Sequence, residues 1–86
     1  MPSLREVRAD RLLSMRELGR LAGVASSTIY LIETGRTTPR LSVVRRLAAA
    51  LGVDPPEVDE FRHAIELAKD LPVRSPRRAE PEEKEP

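Results

Sequence analysis

Apolar positions recur at helical spacing through the first 71 residues. Leu4 and Val7 begin one face. Leu18, Leu21 and Ala22 form a second, and Ile29 and Ile32 a third. Leu41, Val44, Leu47, Ala48 and Leu51 form a fourth. Val58, Phe61, Ala64, Ile65, Ala68 and Leu71, with Leu67 alongside, form a fifth. Spacings of three and four place each set on one side of a helix. No strand-like alternation interrupts them. Boundary signals agree. Ser3 with Glu6 and Ser14 with Glu17 fit capping boxes, in which a hydroxyl and a carboxylate each take one backbone amide of the helix start. Asp54 with Glu57 fits the same pattern, with prolines in the first turn, and is expected to start a fifth helix running to Leu71 and ended by Pro72. Gly35 ends the third helix, Pro39 opens the fourth and Gly52 closes it. The prediction is an all-α domain of five short helices over residues 1–71.

Residues 72–86 read PVRSPRRAEPEEKEP. They hold four of the eight prolines, and Val73 and Ala79 are their only apolar side chains. Such a segment cannot bury enough surface to offset its ordering entropy, so it is expected to be a disordered, mixed-charge tail.

The second and third helices are joined by Ala22-Gly23-Val24-Ala25. Two helices of about eight residues joined by a Gly-containing turn describe a helix-turn-helix. A steep crossing of short helices needs a minimal side chain at Gly19 and tolerance of positive φ at Gly23. Val24 can plug the space between them, while Ile29 and Ile32 anchor the second helix of the motif.

Composition narrows the chemistry. The chain has no cysteine and one histidine, which leaves no thiolate site and no multi-histidine metal cluster. Tyr30 and Phe61 are its only aromatics, too few for stacking platforms on single-stranded nucleic acid. His63 reads as a helix-surface residue. No Gly-rich phosphate loop or carboxylate pair suggests an enzyme, and no cofactor, metal or small-molecule ligand is expected. No apolar run is long enough to span a membrane and the N-terminus is no signal peptide, so a cytoplasmic location is expected. The net charge of +1 hides an asymmetry. Residues 1–52 carry nine Arg against four acids, whereas residues 53–71 carry two basic side chains against six acids. An anionic partner for the first part fits that split.

The residues from Leu4 to Val53 resemble the lambda-repressor/Cro-type helix-turn-helix family, also called the XRE family. The resemblance rests on Arg8, on Leu13-Ser14 through Leu18-Gly19, and on Gly23-Val24-Ala25. It rests most specifically on Ile29-Tyr30-Leu31-Ile32-Glu33-Thr34-Gly35 with Pro39, and on Leu47-Ala48 through Leu51-Gly52-Val53. Four positions depart from the pattern. Met15 stands where the family has Gln, Ala25 where it has a capping Ser or Thr, Leu12 where it has a helix-ending Gly, and Gly19 where it has Ala. Ser26 is expected to cap the third helix in place of Ala25.

The resemblance implies a five-helix lambda-repressor-like domain whose third helix lies in the major groove, in a transcriptional regulator, most simply a repressor, that is nucleoid-associated when bound. It implies Ser26, Ser27, Tyr30 and Leu31 as base-reading candidates. Serine hydroxyls donate to or accept from any base, and Leu31 suits a thymine methyl. Ser14, Arg16, Thr28, Thr34, Arg36 and Arg40 are the phosphate candidates, and Arg8 with Glu33 is expected to form a structural ion pair. Double-stranded DNA, as a palindromic operator, is the expected partner. The family also works as symmetric dimers. The apolar face of the fifth helix is wider than one small core needs, so Val58, Phe61, Ile65, Leu67 and Leu71 are expected to face a second copy. An alternative is a protein-interaction module of the same fold, such as an antitoxin or anti-repressor partner, with a protein rather than DNA as its main ligand.

Overall fold

Ser3 and Ser14 start the first two helices in the same way. Each hydroxyl accepts the backbone N–H of the glutamate three residues on, and that glutamate accepts the serine's own N–H, all at 2.8–3.1 Å. The helices so started are α1 (Leu4–Asp10) and α2 (Met15–Ala22). They are followed by α3 (Ser26–Glu33), α4 (Leu41–Leu51) and α5 (Asp59–Asp70). The computed structural model describes residues 1–70. Leu71, Pro72 and the rest of the expected tail lie outside the described residues. Within them all regular structure is helical, as the apolar spacing predicts. No described helix is long and apolar enough to cross a membrane.

α2 packs on α3 and α4, while α5 packs on α1 and α4. The core between them is closed by Leu4, Leu18, Ile29, Ile32, Leu47, Val58 and Phe61, all fully buried. The start of the chain is tied to α5. Pro2 O accepts the Asp59 N–H at 2.9 Å, and the Leu4 N–H donates to Glu60 Oε1 at 2.7 Å. Arg11 Nε donates to Leu51 O at 2.8 Å and so satisfies a carbonyl at the end of α4.

The motif's turn is built as expected. Gly23 has φ +70°, and the Val24 N–H returns to Gly19 O at 2.9 Å. A Cβ on Gly19 would collide with the carbonyl oxygen of Val24 and crowd the Ser26 amide, so α2 and α3 meet at a distance that only glycine allows. Val24 is half-buried against the core. The three helices other than α2 in the first four end in the same left-handed turn, at Leu12, Gly35 and Gly52. Leu12 is the exception in type. It holds φ +57° with 89% of its surface exposed, at a position where a side chain costs about 1–2 kcal/mol.

Two expected helix starts are corrected. Asp54 makes no capping bond. Pro55–Glu57 is a single 3₁₀ turn, Val58 is extended, and α5 begins only at Asp59. Adjacent prolines remove two amides from the turn, and the extended backbone at Val58 carries its side chain into the core. Ser26 does not cap α3 either. Ala25 occupies the N-cap position, and no side chain caps that end.

Candidate nucleic-acid interface

Because α2 and α3 approach closely at Gly19, their N-terminal ends flank one open concavity of about 620 Å³. Ser14, Met15 and Arg16 line it from the start of α2, and Ser26, Ser27 and Tyr30 from α3. Three of the four base-reading candidates thus share a surface with two of the phosphate candidates. Met15 joins them, although sequence reasoning treated it only as a departure from a family pattern. Its place at the first position of α2 was the available signal.

The other candidates stand apart from this concavity. Leu31 is exposed one step further round α3. Thr28 is half-buried. Arg36 is exposed in the loop after α3, and Arg40 is exposed at the N-cap of α4. Thr34 is engaged locally, since its hydroxyl donates to Tyr30 O at 2.8 Å with Leu31 O at 3.3 Å. Its single proton is therefore not free for a phosphate in this conformation.

The helix starts at this face differ electrostatically. At α2 the Ser14 amide and hydroxyl hold the Glu17 carboxyl below the usual range, mainly through the bond from the Ser14 backbone. In that box the Ser14 N–H donates to Glu17 Oε1 and the Ser14 hydroxyl oxygen accepts the Glu17 N–H. The starts of α3 and α4 carry no acid in the first turn and no side-chain cap. Their first amides and the positive end of each helix are left for an outside acceptor.

Arg8 and Glu33 fix α3 from its far end. Arg8 Nε meets Glu33 Oε2 at 2.7 Å and Nη2 meets Oε1 at 3.0 Å, a two-pronged pair. Nη1 donates to Leu13 O at 2.9 Å. The Glu33 side chain is 3% exposed. Its hydrogen bond raises the Arg8 guanidinium above its ordinary value, outweighing the opposite effect of burial.

The expected dimer residues need correction. Val58 and Phe61 are fully buried inside the protomer, so they have no surface to offer a second chain. The inward side of this segment is Val58, Phe61 and Ala64. Ile65 is half-buried, Leu67 is 43% exposed, and Leu71 lies outside the described residues. Pro39, Leu41, Leu67 and Ala68 instead line an open groove of about 270 Å³ between the start of α4 and α5.

An HTH-type transcriptional regulator of Bacillus subtilis (strain 168), RghRB, itself described as uncharacterized, is 43% identical over 51 residues, which is 58% of this chain. The matched region spans only 37% of that relative's length. No solved structure matches significantly. The family profile described as a helix-turn-helix domain matches residues 3–61, from the cap of α1 to the buried Phe61. By that match, and by the Gly19–Gly23 crossing it contains, the chain belongs to the helix-turn-helix domain family.

Proposed function

We propose that the chain binds double-stranded DNA sequence-specifically as an XRE-type transcriptional regulator, a dimeric repressor on a palindromic operator. The observation that carries this reading is the shared concavity, in which Ser26, Ser27 and Tyr30 stand beside Ser14 and Arg16. α3 would enter the major groove by its uncapped end, with base edges facing its first turns. Arg16, Arg36 and Arg40 would meet phosphates on either side, joined by the open amides at the start of α4. The basic balance of residues 1–52 fits an anionic partner.

The second copy would sit on the groove of Leu41 and Leu67. A two-fold axis there would set two α3 helices roughly 34 Å apart, one DNA turn. Fluorescence anisotropy on duplex DNA at several salt concentrations tests the DNA reading. Three phosphate contacts per subunit in a dimer give a log–log slope of about −5. Binding indifferent to salt rejects the phosphate assignment. Sedimentation of the wild type and of a Leu41→Glu/Leu67→Glu variant tests the dimer. An unchanged dimer rejects the groove.

The interaction-module reading draws on a different observation. Leu12 and Leu21 are largely exposed, and Leu21 lines a shallow cleft with Leu13, Glu17 and Arg20 on the flank of α2. Such a patch suits a protein partner. Full DNA affinity in a Leu12→Ser/Leu21→Ser variant, with loss of a co-purifying protein, would favour it.

A further inference from the structure

We propose that the concavity between α2 and α3 reads the C5-methyl group of a thymine, with Met15 as a specificity-determining residue. This inference rests on the DNA-binding reading and names the feature of the duplex that the face selects.

The argument begins with what the face lacks. Its lining has one guanidinium, Arg16, and no Asn or Gln. Arg16 follows the capped start of α2, on the side assigned to phosphate. No paired donor–acceptor fork is therefore left for an adenine edge, nor a second guanidinium for guanine. Ser26 and Ser27 bring hydroxyls that accept or donate without preference. Discrimination by hydrogen bonding alone is thus weak here.

What the face has instead is apolar. Met15 and Tyr30 stand on opposite helices of the concavity. Met15 is half-buried, with its side chain packed on the core cluster, so its place is set while part of it stays open. Tyr30 is 45% exposed. The major groove of a duplex offers few apolar groups, and the thymine methyl is the one that standard bases present there. An unbranched, polarizable thioether suits contact with a methyl group. Leu31, which residue type alone favours for this contact, does not line the concavity.

The test leaves the protein intact and changes the DNA. Duplexes are selected from a random double-stranded library with the full chain, and each thymine is then replaced by deoxyuridine, which removes the methyl alone. Loss of one buried methyl weakens binding about three- to five-fold, and that drop is expected at one or two positions of each half-site. At the same positions, 5-methylcytosine paired with guanine should bind better than cytosine paired with guanine by a similar factor. Met15→Gln should bind the thymine and deoxyuridine duplexes alike, with its helical circular dichroism and melting cooperativity retained. Equal affinity of wild type for thymine and deoxyuridine at every position overturns the inference and leaves the DNA reading standing. Discrimination that survives Met15→Gln overturns the role of Met15. Failure to retain any duplex at low salt overturns the DNA reading, and the inference with it.

Discussion

The starts of α1 and α2 and the starts of α3 and α4 are made differently. The first pair close on themselves, each with a serine and a glutamate exchanging hydrogen bonds. The second pair begin at Ala25 and Arg40, with no capping side chain. A missing cap is typically worth about 1 kcal/mol, so the chain forgoes stability at two ends of a small domain. It forgoes it where the amides would face phosphates and bases in the proposed complex. The lesson is a division of labour. α1 and α2 are held by their own first turns. α3 is held by packing at Gly19 and by Arg8 at its far end, which leaves its first turn to a ligand.

The largest expected effect comes from cutting that far hold. Arg8→Ala and Glu33→Ala should each destabilise the fold by about 2–4 kcal/mol, because each strands a poorly solvated partner. Denaturant titration of both singles and the double variant should show strong coupling. Additive losses would mean that α3 is held elsewhere. Gly19→Ala comes next, at about 1–3 kcal/mol, since the new methyl meets backbone that cannot yield without moving the start of α3. A melting temperature equal to wild type would rule out the close crossing.

The caps give smaller and opposite shifts. Ser3→Ala should cost about 1 kcal/mol by opening a closed box, whereas Ala25→Ser should add up to about 1 kcal/mol by closing an open end. The same Ala25→Ser change should weaken DNA binding if the α3 amides meet the duplex, and unchanged affinity would make the contrast purely structural. The smallest effect is the pH dependence of the α2 box. The Glu17 carboxyl is held below its unfolded value, so its contribution is present above the unfolded pKa of about 4.3 and is lost as pH falls through the lower folded value. Thermal melts between about pH 5 and 2.5 should show part of the acid loss disappear in Glu17→Gln.

Much of this was legible in sequence where the determinant is local. A Ser-x-x-Glu box is complete within four residues, and α1 and α2 start where it predicts. Gly19 and Gly23 announced the crossing because a close approach and a positive φ each need glycine. The Arg8–Glu33 pair was legible through family resemblance and not through spacing. Asp54–Glu57 shows the limit, for the same local pattern there yields a 3₁₀ turn once Val58 must reach the core. Arg11 on Leu51 O and Glu60 on the Leu4 amide join residues 40 and 56 positions apart, and no local signal marks them. The sides of the fifth helix were similarly ambiguous. Its wide apolar face reads alike throughout until α1 and α4 cover Phe61 and leave Leu67 outside. At the candidate site, sequence named the hydroxyls of Ser26 and Ser27 but not their neighbour across the concavity, Met15.

Arg8 carries one more consequence, which concerns aim and not strength. Three of its nitrogens are engaged at once, two on Glu33 and one on the carbonyl of Leu13, and a guanidinium is flat and rigid. Its plane therefore sets the bearing of α3 relative to the junction of α1 and α2. A lysine would keep the charge and lose the plane, leaving a pivot where there is now a bracket. In the proposed complex, Arg8→Lys should then shift which base pairs are preferred in selection from a random duplex library, though the substituted residue lies outside the concavity. The direction in which this surface points would be written 25 positions upstream of the carboxylate it grips.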